Sequence, residues 1–255
     1  MKKLSDTTYR CNITGQYFTL ENQDKGREKC NRFGFTSRDR AIVYCLLNKL
    51  GYFKQILNKI KNPQITGIGM TDSPALSKAL YGSFSYTNTF FHQEPLLDIY
   101  NLKHINQFKN LDFIICSEVF EHISPYPGLD IAFSNLYNML KQNNGILIFS
   151  VPYNLQKHYE HFPALYNYQI INQNNNYILY NTTIEEKKEQ FTDLIFHGGP
   201  GETLEMRQFS KQSLEKYLSE AGFNHITFHD IDQDMQEFGI FWELPISLII
   251  SAETI

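Results

Sequence analysis

The stretch "ITGIGMTDS" (65–73) places Gly67 and Gly69 at the end of an apolar run and just ahead of a helix-start signal. Glycines at such a turn let a ligand approach the main chain, and the helix that follows offers its unpaired N-terminal N–H groups. As a dinucleotide fingerprint the stretch departs from the pattern, because Thr71 stands where a third glycine belongs. A G-x-G turn by itself also serves as a tight strand-to-helix connection with no ligand. Four histidines are the second chemical resource: His122, and His158, His161 and His197 in a stretch rich in Tyr, His and Asn. Imidazole is the side chain that takes or gives a proton near neutral pH. Any single one is more commonly structural or at the surface. Three in one stretch raise the expectation that one faces a ligand, with His161 in "EHFP" leading and Tyr153 and Tyr159 as pocket walls.

The elements that must position these residues follow from pattern and punctuation. "SRDRAIVYCLLNKLG" sets Ile42, Cys45, Leu46 and Leu50 at helical spacing, with Ser37 as N-cap and Gly51 as stop. A short strand, the glycine turn and a helix starting near Ser73–Pro74 come next; proline suits a first helical turn. "FSYTNTFF" is β-prone and "LLDIY" is a short strand candidate. "NLDFIICSEVFEHI" reads as a buried strand and turn, "LDIAFSNLYNMLKQNNG" as an amphipathic helix ending at Gly145, and "ILIFSVP" as a central parallel strand. This alternation predicts a doubly wound parallel sheet. Residues 153–207 break the rhythm and read as a lid or substrate-binding insertion. Regular structure returns with the helix "SKQSLEKYLSEAGF", then "HITFHDI" and "FGIFWELPISLIIS" as closing strands.

"LDFIICSEVFEHI" followed by "NMLKQNNGILIFSVP" resembles the strand-four and strand-five signature of class I S-adenosylmethionine-dependent methyltransferases, with Asn144 in place of the first glycine of the loop. The match spans 64–152. "SRDRA", "GIGMTDS", "YTNTFFHQEPLLDI", "EHFP" and "HGGPGETLEMRQFS" further resemble a methyltransferase group associated with bacterial surface-polysaccharide (capsule) biosynthesis. That group often carries an N-terminal zinc ribbon of repeated C-x-x-C-G. Here the knuckles read "CNITG" and "CNRFG", with Thr14 and Phe33 replacing the second cysteines. Two thiolates do not close a four-coordinate zinc site, so no metal is expected, and Cys11 and Cys30 are read as structural.

The resemblance implies an α/β, Rossmann-like class I methyltransferase fold: a mostly parallel seven-stranded sheet, helices on both faces, and an acceptor-side insertion at about 153–207. The implied division is a degenerate ribbon-like segment at 1–36 and a methyltransferase domain at 37–255. The implied cofactor is S-adenosylmethionine. Gly67 and Gly69 would lie beside its methionine portion, Asp72 or Ser73 near its amino or carboxylate group, and Asp98, with Ile99, at the adenine. Main chain at Ser117 and Glu118 would pass beside it, and Arg38 (or Arg40) would reach its carboxylate. The acid that usually grips the ribose diol is not apparent, leaving Asn88 or Glu94 as substitutes. The implied acceptor is a small polar precursor (a sugar, nucleotide-linked or phosphate-containing glycan precursor), the implied reaction is its O-methylation, and His161, His158, His197 or His122 is the implied proton acceptor. An inactive methyltransferase-like scaffold is the alternative; a nicotinamide dehydrogenase fits less well for want of the third glycine.

The bulk properties agree with this assignment. A net charge of −4 speaks against a dedicated nucleic-acid binder. No apolar stretch reaches the ~20 residues of a spanning helix, and "MKKLSDTTYRCNITG" lacks the apolar core of a signal peptide. Four dispersed cysteines suit a reducing, cytoplasmic setting.

Overall fold

The computed structural model describes residues 7–20, 26–154, 157–174, 176–242 and 249–255. An antiparallel hairpin, β1 (Thr7–Arg10) and β2 (Tyr17–Leu20), leads to helix α1 (Ser37–Lys49). Then come β3 (Asn62–Met70), α2 (Pro74–Tyr81), β4 (Phe84–Thr89), the single turn α3 (Leu102–Ile105) and β5 (Phe113–Ser117). After α4 (Leu129–Met139) and β6 (Ile146–Ser150) the insertion holds β7 (Tyr153–Asn154), β8 (Tyr159–Glu160), β9 (Asn167–Gln173), β10 (Asn176–Thr182), β11 (Lys188–Phe191), β12 (Phe196–His197), β13 (Thr203–Leu204) and β14 (Arg207–Ser210). The chain ends with α5 (Lys211–Glu220), β15 (Asn224–Phe228), α6 (Gln233–Glu237) and β16 (Ile250–Glu253).

The central sheet runs β15-β16-β6-β5-β3-β4, with β16 antiparallel to both its neighbours and the rest parallel. Its inner strands β5 and β6 are buried on both faces, as an apolar run such as "FIIC" requires. Phe113 and Ile115 point into a core shared with α1, α2 and the N-terminal hairpin, while Ile114 and Cys116 point into one shared with α4 and α5. The hairpin residues Tyr9, Cys11, Ile13 and Phe18 pack in the first of these cores, so residues from the expected ribbon-like segment are part of the main core. Buried Arg40 ties the two together, donating to the carbonyls of Phe35 (2.5 Å) and Gly239 (2.6 Å) and to Ser37 Oγ (3.0 Å). No described helix is long and apolar enough to cross a membrane.

The structure corrects several element assignments. The described sheet has six strands, against seven expected, because "LLDIY" forms only an isolated bridge between Leu96 and Phe90. The connection from β4 turns back at once, Phe90 N donating to Pro95 O and Leu97 N to Phe90 O, which leaves no room for a crossover helix. Leu97 and Ile99 are instead anchored in the core. The N-cap of α1 is Thr36, not Ser37: its hydroxyl accepts from Asp39 N, and Asp39 caps it in return. Helix α4 ends at Met139 and not at Gly145, since Leu140 is extended and Asn143 and Asn144 both adopt left-handed φ values of 66°. The insertion, expected as a lid or binding segment that breaks the strand–helix rhythm, contains a three-stranded antiparallel sheet in the order β11-β10-β9 around a small core of Phe162, Leu165, Leu179, Leu204 and Met206. Of the last closing strand, residues 243–248 lie outside the described residues; Gln233–Glu237 is helical, and Ile250–Glu253 is the strand.

Candidate functional site

The carboxyl edge of the sheet is organised around the turn after β3. Thr71 adopts φ 64°, the left-handed conformation that glycine takes at the third position of a G-x-G-x-G turn. A β-branched residue there is held by its surroundings, and Thr71 N donates to Thr89 O at 2.9 Å. Ser73 caps α2 by accepting from Leu76 N, and Pro74 opens the helix, as expected. Asp72 turns inward and is 8% exposed. Burial pushes its carboxyl up to about 7, against the lowering effect of a hydrogen bond from the Tyr86 hydroxyl to Oδ2 at 2.5 Å. Asn88 clamps the same turn with both ends of its amide, Oδ1 accepting from Asp72 N and Nδ2 donating to Asp72 O, each at 2.9 Å.

Beside this turn lies a cleft of about 810 Å³, bordered by Asp72, Ser73, Ser77, Thr87, Asn88 and Gln93 among others. Its size suits a nucleoside-sized ligand. Gly67 and Gly69 do not border it. The space a Cβ would need at Gly67 is filled by the Phe113 ring (2.3 Å), and at Gly69 by Tyr86 Oη (2.0 Å) and Asp72 Oδ2 (2.1 Å). Their missing side chains therefore admit this chain's own groups. Of the two candidates for the ribose, Asn88 borders the cleft but spends its amide on the Asp72 main chain. Glu94 is exposed and caps Leu96 N at 3.0 Å. Gln93, which sequence reasoning passed over, does border the cleft.

Across the edge, at the end of β5, Glu118 adopts φ 55° and donates its N–H to Ser150 O. Its carboxylate accepts from Ser150 Oγ (2.8 Å) and meets Arg27 at 2.6 Å and Arg38 at 3.8 Å. Arg38 also pairs with Glu28 at 3.1 Å, so this expected ligand-gripping arginine is engaged with two carboxylates of the chain. The Ser117 and Ser150 hydroxyls are 2.9 Å apart. Asp98 is not at a strand end but in a turn. Its Oδ1 accepts from Tyr100 N (2.9 Å), its own N–H meets His104 Nδ1, and the Ile99 carbonyl accepts from Asn135. Arg27 is the residue with no warning in the sequence. It comes from the polar N-terminal segment and lies 5.9 Å from the Trp242 ring.

Three of the four histidines gather where the insertion meets the 3-10 turn Phe120–His122. Glu205, 4% exposed, bridges His161 Nε2 (2.9 Å) and His197 Nε2 (2.8 Å). The His122 and His197 rings meet edge to face at 4.7 Å. Burial lowers the His122 pKa, and burial together with Glu118 raises that of Glu121. His158 stands apart, 3.0 Å from Glu160 Oε1. Glu160 stays below the ordinary carboxylate range despite its burial, because His158 and Arg207 both bond to it. Arg207, 1% exposed, also donates to the carbonyls of Phe120 and Ile123, and Met206 N donates to Glu121 O. The insertion is thus bonded directly to the turn that follows β5.

No family model matches the chain, nor does any curated protein sequence at a significant level. Among solved structures, an S-adenosylmethionine-dependent methyltransferase from Clostridium acetobutylicum ATCC 824 shares 14% identity over 86% of this chain and 92% of its own, with a TM-score of 0.47. A SAM-dependent methyltransferase from Archaeoglobus fulgidus shares 12% over 84% and 93%, with a TM-score of 0.45. The 1,6-didemethyltoxoflavin-N1-methyltransferase of Burkholderia thailandensis shares 11% over 85% and 77%, with a TM-score of 0.47.

Proposed function

We propose that this chain is an S-adenosylmethionine-dependent methyltransferase acting on a small polar acceptor, a sugar, nucleotide-linked or phosphate-containing precursor of a bacterial surface polysaccharide, by O-methylation. The observation that carries the reading is where the motif residues fall. Strand β3 has β4 on one side and β5 on the other, so the winding reverses there, and ligands of open α/β sheets bind outside the carboxyl ends at such a point. The turn Thr71–Ser73 and the "SEVFEH" stretch (117–122) sit at the carboxyl ends of these two strands.

The residues present suit the donor. Asp72 is a buried carboxyl able to meet an ammonium group, Ser73 starts a helix whose N–H groups suit a carboxylate, and the adjoining cleft offers Ser77, Thr87 and Gln93 as hydroxyl and amide partners for a diol. When bound, the donor supplies a methyl group already activated on a sulfonium. The chain's work is then to align the acceptor at roughly 3 Å and accept one proton. His161, oriented by Glu205, is our candidate for that proton, and the insertion supplies the acceptor's surroundings. The alternative, a donor-binding scaffold without turnover, draws on Thr71 and on the commitment of Asn88 to the turn. A methyl-transfer screen over nucleotide-activated sugars and phosphorylated precursors separates the two: the enzyme methylates at least one of them, whereas donor binding with no product from any acceptor favours the scaffold.

A further inference from the structure

Among the described residues, one group of three side chains is placed to hold a metal ion: Glu121, His122 and His197, whose ligand atoms all lie within 4.8 Å of one another. Glu121 is 0% exposed, and neither of its carboxylate oxygens has a hydrogen-bond partner on another residue. A buried carboxyl without partners is expensive, and each such group calls for an explanation. The nearest ring nitrogens to Glu121 Oε1 are His122 Nε2 at 3.6 Å and His197 Nδ1 at 3.8 Å. Both separations are too long for hydrogen bonds. They are close to the spacing of two ligand atoms on a shared cation: bonds of ~2.0–2.1 Å in a tetrahedral arrangement put their ends roughly 3.3 Å apart.

The opposite nitrogen of each ring is already engaged. His122 Nδ1 lies 2.8 Å from Leu204 O, and His197 Nε2 lies 2.8 Å from Glu205 Oε2. Each acceptor fixes the proton on the outer nitrogen and leaves the lone pair of the inner one facing Glu121. Metal-ligating histidines are oriented in this manner, by a carbonyl or carboxylate behind the ring.

We propose that Glu121, His122 and His197 bind one divalent transition-metal ion of the zinc or ferrous type, with Glu205 and His161 orienting His197. Two imidazoles and one carboxylate favour such an ion over magnesium or calcium, which prefer all-oxygen sites. Three protein ligands leave at least one position for an oxygen from water or a small molecule. The ion joins the turn after β5 to the β12–β13 hairpin of the insertion. This inference stands apart from the donor and from the methyltransferase reading, since it concerns only metal affinity.

The test is a titration of the chelator-treated chain with Co²⁺, followed by visible absorption and calorimetry. One ion per chain is expected, with ligand-field bands saturating at one equivalent. Glu121→Gln and His197→Asn should each weaken binding about 100-fold or more. His197 is one-third exposed, so its variant keeps the test decisive should Glu121→Gln fail to fold. Cys30→Ser, at an exposed site, should bind as the parent does. No Co²⁺ binding by the parent chain, unchanged binding by a folded His197→Asn, or loss of binding in Cys30→Ser would each overturn the proposal.

Discussion

Asp72→Asn probes the buried carboxyl at the centre of the candidate site. The folded chain raises this acid from its ordinary 3.8 to about 7, chiefly through burial. An acid whose folded pKa exceeds its unfolded value destabilises the fold as the pH rises, because the unfolded chain releases the proton first. At about 1.4 kcal/mol per pH unit, the cost is ~0.6 kcal/mol at pH 4, ~1.7 at pH 5 and ~4 at pH 7, where it levels off. Asparagine removes this cost and retains an acceptor for the Tyr86 hydroxyl. Its extra amide N–H is buried without an assigned acceptor, a pH-independent penalty of about 1–3 kcal/mol. The variant should therefore equal or fall below the parent at pH 4 and exceed it by about 1–3 kcal/mol at pH 7. Urea unfolding at pH 4, 5, 6 and 7, extrapolated linearly, measures the difference. A difference that stays constant across this range would show that Asp72 is not titrating as its burial requires, and the reasoning would fail.

Other outcomes follow from the same geometry. Thr71→Gly should stabilise the chain by about 1 kcal/mol, since it relieves a left-handed β-branched residue; a lowered melting temperature would contradict this. Arg207→Met should destabilise by about 3–5 kcal/mol, because Glu160 and two backbone carbonyls lose a buried cation, and an unchanged melting temperature would count against that role. His161→Ala should lower methyl transfer ~10²–10⁴-fold with donor affinity nearly unaltered. Unaltered turnover would move the proton acceptor elsewhere, to another histidine or to water.

The parallel core of the sheet was legible because strands buried on both faces write themselves as unbroken apolar runs, such as "FIIC" and "ILIF". The start of α2 was legible from Ser73–Pro74, whose chemistry is local. Less of the remainder was, for physical reasons. "LLDIY" looks like a strand because Leu97 and Ile99 alternate toward the core, yet strand pairing depends on a connection whose path composition does not reveal. The hairpin of the insertion did carry a signal, aromatic and branched residues on either side of an Asn-rich turn, masked by the general polarity of the stretch. The glycines suggested ligand approach, but what fills the space beside them is Phe113, Tyr86 and Asp72, residues distant in sequence. The gathering of His122, His161 and His197 around Glu121 and Glu205 depends on the docking of the insertion and has no spacing signature. Arg27 reaches Glu118 from a polar segment in which nothing marks it.

If the carboxyl edge of this sheet binds the methyl donor, S-adenosylhomocysteine should bind there too. Calorimetric titration of the chain with S-adenosylhomocysteine measures this. One site per chain is expected, with a dissociation constant of about a micromolar, ~−8 kcal/mol. Absence of binding by the parent protein would mean that this edge is not a donor site.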